Sequence, residues 1–164
     1  MSDPGSIEIQ TRQLADVLLL KRQRLAVAES CTGGWLAKVC TDLAGSSQWF
    51  ECGFVTYSNA SKRAMLGVSE NVLGEHGAVS LEVVAEMAQG ALQNSEAHWS
   101  VAISGIAGPG GGSAEKPVGT VCFGWANRGG LTVVSRELFS GGRESVRKQS
   151  IVIVIDKLIK MVAG

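Results

Sequence analysis

Ala28-Glu29-Ser30-Cys31-Thr32-Gly33-Gly34 decides how the rest of the chain is read. An apolar run, Arg24-Leu25-Ala26-Val27-Ala28, leads into it, and a helical pattern from Trp35 to Leu43 leads out. A strand ends, the backbone turns at small residues, and a helix begins. Such a junction places two hydroxyls and a thiol beside a helix N-terminus, where free N–H groups and the helix dipole favour an anion. A Ser on a strand-to-helix turn is also the geometry of a nucleophile elbow, although G-x-S-x-G is absent. The alternative is that Ser30 or Thr32 merely caps the helix.

Outward from this junction, apolar residues recur at helical spacing from Ile7 to Arg22, with Leu14, Val17 and Leu18 on one face. Residues 1–6 read as a loose lead-in. After the second helix, Ser47 to Tyr57 reads as a strand, and Ser58-Asn59 as a turn and N-cap. Short helices follow at Ala60–Leu66 and Glu70–Glu75. Ser80 caps a longer one, Leu81 to about Asn94, whose Val84, Met87, Ala88 and Ala91 share a face. Trp99–Ser104 is a strand running into a glycine stretch, Gly105 to Ser113. Val118–Ala126 and Leu131–Phe139 pair across an Asn127-Arg128-Gly129-Gly130 turn. A final helix spans Arg143–Val162, because Val146, Ser150, Ile153 and Leu158-Ile159 keep a helical period despite a β-branched centre. The order α-β-α-β-α-α-β-β-β-α predicts an α/β three-layer sandwich, a mixed, mostly parallel sheet with helices on both faces.

The chain has 164 residues, as expected of a single domain, and its 15 basic and 15 acidic residues cancel. The balance argues against a nucleic-acid partner. No apolar run reaches bilayer length, and no basic-then-apolar leader opens the sequence, so neither a membrane nor secretion is expected. A cytoplasmic location follows, with Cys31, Cys40, Cys52 and Cys122 reduced. These cysteines form no C-x-x-C pair, and His76 and His98 are not spaced with them as ligands, so no metal is expected. Cys40, Cys52 and Cys122 read as small buried hydrophobes, and the histidines as structural or solvated.

Three loops follow strand ends: the Ser30 turn, the Tyr57–Lys62 segment, and the glycine loop after Ser104. In open α/β sheets ligands bind beyond the carboxyl ends of strands, so these loops could share one crevice, with Arg143 joining them. The glycine loop is neither a P-loop nor a dinucleotide fingerprint. It offers close backbone approach to a phosphate or oxyanion, but its composition equally suits a floppy loop. No histidine is placed to serve Ser30. Lys62 is the candidate base, provided its pKa is depressed, and Tyr57 could relay a proton. Singly, Lys62 reads as a solvated helix residue and Tyr57 as a half-buried strand residue.

Together, five ordered blocks resemble a known family. They are Ala28 to Gly34; Gly53-x-x-Thr56-Tyr57-Ser58-Asn59-x-x-Lys62; Gly77-Ala78-Val79-Ser80; Ser104-Gly105-Ile106-Ala107-Gly108-Pro109; and Lys116-Pro117-Val118-Gly119-Thr120-Val121. This pattern is similar to the carboxy-terminal domain of the CinA (competence/damage-inducible) family, from about Leu14 to the final helix. Stand-alone members of that family are bacterial nicotinamide-nucleotide amidases. The resemblance implies hydrolysis of nicotinamide mononucleotide to nicotinic acid mononucleotide and ammonia, without cofactor, in pyridine nucleotide salvage. It implies Ser30 as nucleophile, Lys62 as base and Tyr57 assisting. Thr32, Gly33, Gly34, Ser104, Gly105, Gly108, Gly110 and Arg143 would bind substrate. Gly33, Gly34 or the Ser104 loop would supply the oxyanion donors, and Arg143 or the 108–112 glycines would hold the phosphate. It also implies a homodimer or larger homo-oligomer; the apolar final helix and the exposed-looking strand at Trp49-Phe50 read as candidate contact surfaces. Longer relatives carry a further amino-terminal hydrolase domain that these residues do not match. Two rivals remain: a nucleotide- or phosphate-binding module without turnover, and an amidase using Cys31.

Overall fold

A computed structural model describes residues 4–164. In chain order the elements are α1 (Pro4–Lys21), β1 (Leu25–Glu29), α2 (Trp35–Thr41), β2 (Phe50–Val55), α3 (Asn59–Leu66), α4 (Glu70–His76), α5 (Leu81–Gln93), β3 (Trp99–Gly105), β4 (Thr120–Asn127), β5 (Thr132–Leu138) and α6 (Arg143–Ala163). The strands form a sheet of order β2-β1-β3-β4-β5. β1 pairs in parallel with β2 and β3, and β4 runs antiparallel to both its neighbours. Every strand except β4 therefore points the same way, as expected of a mostly parallel mixed sheet.

Side chains alternate across β1 and divide the core. Leu25 and Val27 join one buried cluster with Leu14 and Leu18 of α1, Leu36 of α2, and Val146, Ile151 and Leu158 of α6. Ala26 and Ala28 join the other with Leu66 of α3, Leu73 of α4, and Val84, Met87, Ala88 and Ala91 of α5. The first cluster holds the bulky residues, including Trp49, Phe123 and Trp125. The second is rich in alanine, which lets α5 lie close to the sheet: a Cβ on Gly124 would come within 2.6 Å of the Val84 carbonyl oxygen.

Several boundaries depart from the sequence reading. α1 begins at Pro4, so part of the expected lead-in is helical; residues 1–3 lie outside the described chain. Three helices separate β2 from β3, at the three segments read from the sequence, where the order α-β-α-β-α-α-β-β-β-α counts two. Gly67 ends α3 in a left-handed conformation and Ser69 caps α4, which keeps the short helices distinct from each other and from α5. Ser46–Gln48 forms a 3-10 turn, and β2 starts only at Phe50. Trp49, expected on an exposed surface, is buried in the core; its carbonyl accepts the Leu25 N–H, so its backbone leads into the β1–β2 pairing.

Candidate active site

The carboxyl ends of β1, β2 and β3 meet at the Ser30 turn. Ser30 donates its backbone N–H to Ile103 of β3 at 3.0 Å, and Thr56, just past β2, donates its own to Glu29 at 2.8 Å. The turn is thus held between the two neighbouring strands. Gly33 and Gly34 have φ of +59° and +100°, left-handed values that few side-chain-bearing residues adopt, and they swing the chain into α2.

Neither Ser30 nor Thr32 caps α2; the N-cap position is Gly34, with no side-chain cap. The cap comes from Glu29. Its fully buried carboxylate accepts the Leu36 N–H at 2.9 Å and the Ala37 N–H at 3.0 Å. The expectation that the first N–H groups of α2 face a ligand is therefore corrected: an internal carboxylate takes two of them.

Lys62 lies in α3, which opens with a capping box between Ser58 and Ser61. The side chain is 1 % exposed and reaches inward. Its Nζ stands 2.9 Å from Ser30 Oγ, 2.6 Å from the Thr56 carbonyl oxygen and 3.5 Å from that of Tyr57. Among the described residues no carboxylate lies within ion-pair distance of it. Burial lowers its pKa below the ordinary lysine value. The solvated-surface alternative for Lys62 does not hold. A neutral amine here can give two N–H groups to the carbonyls and accept the Ser30 hydroxyl proton.

Tyr57 lies outside β2 and its side chain is exposed. Its hydroxyl accepts from Arg143 Nη2 at 3.1 Å, and it is its carbonyl that approaches Lys62. Arg143, the first residue of α6, also donates from Nη1 to the Gly108 carbonyl at 2.9 Å. Arg143 thus joins the Tyr57 segment to the glycine loop. That loop is anchored rather than floppy: Gly119 donates to Ile106, Ile106 to Thr120, and Ser113 to Lys116. Gly108 is buried at φ +85°, whereas Gly110 is exposed with open space around it. Gly105 sits where a Cβ would press on Val121 and Thr120, so its smallness serves β3–β4 packing. Ser104 is buried and donates its hydroxyl to Ala78 at 2.8 Å, tying the Gly77–Ser80 block to the end of β3.

Of the groups expected to hold an oxyanion, the Gly33 N–H is already given to the Ser30 carbonyl at 3.0 Å. The N–H groups of Cys31 and Thr32, directly after the serine, have no oxygen acceptor among the described residues. The Cys31 thiol is buried, which pushes its pKa up to about 11 against a smaller opposing effect of Arg147. It is held as a thiol, which argues against the Cys31 rival. His98 accepts the Arg24 N–H through Nδ1 and is structural. His76 is half-exposed beside Glu75 and Glu82. Among the described residues no group of three His, Cys, Asp or Glu side chains is gathered as a metal site.

Beside the serine turn, a cleft of about 550 Å³ is lined by Thr32, Gly33, Gly34, Trp35, Lys38 and Arg147. The sequence reading assigned nothing to Glu29 or Arg147. An acid closing an apolar strand, and an arginine one helical turn beyond Arg143, were the available signals.

Comparison with known proteins fits this geometry. The family described as CinA C-terminal domain matches residues 8–162. "Nicotinamide-nucleotide amidohydrolase PncC" of Escherichia coli K12 is 54% identical over 158 residues, covering 96% of this chain and 95% of that one. The protein of that name from Pseudomonas putida is 49% identical over 84% of this chain and 86% of its own. Among solved structures, the competence/damage inducible protein CihA from Agrobacterium tumefaciens superposes with a TM-score of 0.95 at 42% identity, covering 100% of both chains. The chain belongs to the CinA C-terminal domain family.

Proposed function

We propose that this protein is an amidohydrolase that converts nicotinamide mononucleotide and water to nicotinic acid mononucleotide and ammonia, with Ser30 as nucleophile and Lys62 as its base. One observation carries the mechanism: a buried lysine amine, with no carboxylate partner among the described residues, lies 2.9 Å from a serine hydroxyl on a strand-to-helix turn. The names of relatives sharing about half of its residues carry the substrate.

Ser30 Oγ attacks the carboxamide carbon as its proton passes to neutral Lys62. The Cys31 and Thr32 N–H groups receive the oxyanion. Lys62 then gives the proton to the leaving nitrogen; the C–N bond breaks, ammonia departs, and an ester to Ser30 remains. Water attacks the ester, a proton returns through Lys62 to Ser30 Oγ, and the carboxylate product leaves. Arg143 and Tyr57, joined at 3.1 Å, serve the nucleotide end together with the Gly108–Gly110 backbone. In this reading Tyr57 acts beside Arg143 rather than as a relay to Lys62.

Four free cysteines suit a reducing cytoplasm, and no described helix is long and apolar enough to cross a membrane. Assembly as a homo-oligomer would use a surface other than Trp49, such as the exposed Ile9 and Leu20 of α1.

The test is ammonia release from nicotinamide mononucleotide by wild type, Ser30→Ala and Cys31→Ala. Turnover by wild type and Cys31→Ala, but not by Ser30→Ala, is expected. Nucleotide binding without ammonia from folded wild type would make the site a binding module instead.

A further inference from the structure

Arg147 is the cation whose place in the site remains unexplained. It is half-buried on α6, and its Nε donates to the Cys31 carbonyl at 3.0 Å and its Nη2 to the Thr32 carbonyl at 3.2 Å. Its guanidinium lies 5.4 Å from the centre of the Trp35 ring. Among the described residues it pairs with no carboxylate. Its planar fork is thus spent on two consecutive peptide groups immediately after the nucleophile.

The consequence follows from peptide geometry. The bond between Cys31 and Thr32 is trans, since the one cis peptide among the described residues is Gly108–Pro109. In a trans peptide the N–H points opposite to the C=O. Drawing the Cys31 carbonyl toward α6 therefore turns the Thr32 N–H away from α6, where no protein oxygen accepts it. Ser30 Oγ meets Lys62 of α3, and α3 packs on the opposite face of the sheet from α6. The Thr32 carbonyl, fixed likewise, orients the Gly33 N–H, which closes the turn on Ser30.

We propose that Arg147 is a positioning residue for catalysis: its guanidinium holds the carbonyls of Cys31 and Thr32 so that the Thr32 N–H stays aimed at the oxyanion. This inference rests on the amidase reading above, and it assigns Arg147 to the transition state rather than to substrate binding. Nothing in the reaction is transferred to or from Arg147.

The experiment compares steady-state ammonia release from nicotinamide mononucleotide by wild type, Arg147→Ala and Arg147→Lys, with thermal unfolding of each. A donor lost or misaimed at an oxyanion costs about 10²-fold in kcat. Arg147→Ala is expected to lose about that much with KM within about threefold of wild type. Added guanidinium ion should restore part of its kcat. Arg147→Lys, which keeps the charge but cannot bridge both carbonyls, should fall between the two and carries the test if Arg147→Ala does not fold. A KM increase at unchanged kcat would place Arg147 on the substrate and overturn the proposal. So would wild-type kcat in both variants, or a kcat loss that tracks a lowered Tm and ignores guanidinium. Failure of wild type itself to release ammonia would instead refute the amidase reading.

Discussion

Glu29→Gln tests whether the nucleophile turn depends on the carboxylate beside it. In the wild type both carboxylate oxygens are used, at 2.9 and 3.0 Å from the Leu36 and Ala37 nitrogens, and the side chain is fully buried. Glutamine keeps one oxygen. Its amide nitrogen must then face the other N–H, leaving a buried donor without a partner, which costs about 1–3 kcal/mol. Losing a negative charge at a helix N-terminus in a buried setting costs up to about 2 kcal/mol more. An amide is cheaper to bury than a carboxylate, which returns part of this. The net expectation is a loss of about 2–4 kcal/mol, or about 4–16 °C in Tm for a chain of this size. Because Glu29 adjoins Ser30, the turn should shift with α2, and kcat should fall between about 10- and 100-fold. Thermal and urea unfolding measure the first effect and ammonia release the second. A Tm within about 1 °C of wild type would refute the reasoning, because it would mean that the two N–H groups find other acceptors at no cost.

Lys62→Arg should abolish turnover at every pH, because a guanidinium stays protonated and cannot take the Ser30 proton. Wild-type kcat/KM should rise with pH to a plateau, with a midpoint below 10.5, as Lys62 loses its proton; a rate independent of pH across that range counts against a lysine base. The same shift has a stability counterpart. The folded state releases the Lys62 proton more readily than the unfolded state, so wild type should gain stability relative to Lys62→Met as pH rises toward 10.5. Urea unfolding of both proteins across that range reads the difference. Gly90→Ala should cost about 1–3 kcal/mol, because the added Cβ meets the Leu66 carbonyl oxygen at the back of α3. Since Leu66 lies one turn beyond Lys62, kcat should fall with it, and a variant of unchanged stability and rate would show that α3 and α5 can separate freely.

What was legible in the sequence was local. The Ser30 junction declares itself because an apolar strand, small residues and a helical period follow one another without a gap. α6 is recoverable despite Ile151-Val152-Ile153-Val154-Ile155, because Val146, Ser150 and Leu158 keep a helical period and are buried, although at the centre it is Ile151, Val154 and Ile155 rather than Ile153 that are fully buried. Trp49 was misplaced because apolar residues before a strand look the same whether they extend it or fold beneath it. The depressed basicity of Lys62 was illegible by itself: three residues of α3 precede it and four follow, and its own identity as a lysine points outward rather than inward. Glu29 was visible but mute, since a carboxylate at a strand end can meet solvent, a metal or a helix. Only the return of α2 over β1 selects the last. Arg147 needs the same tertiary knowledge, because its partners are carbonyls, which carry no sequence signal.

The placement of Glu29 also answers a difficulty that the motif raises. A carboxylate next in sequence to the nucleophile could pair with Lys62, hold it as an ammonium and remove the base. The alternation of side chains along β1 prevents this. Leu25 and Val27 face α1, α2 and α6, and Glu29 continues that row to reach the start of α2. Ala26 and Ala28 face α3 and α5, and Ser30 continues that row to reach Lys62. The sheet thus keeps the Glu29 acid apart from the Lys62 base, although Glu29 and the Ser30 that meets Lys62 flank a single peptide bond. Each is buried with the partners that suit its state: a carboxylate on two helix N–H groups, an amine among two carbonyls and one hydroxyl. Exchanging the two residues, as in the double variant Glu29→Ser with Ser30→Glu, would keep the composition but put the carboxylate on the amine. Because the exchange also removes the nucleophile, its readout is stability: with Lys62 locked as an ammonium, stability should no longer rise with pH toward 10.5 as is expected of wild type, which urea unfolding of the two proteins would show.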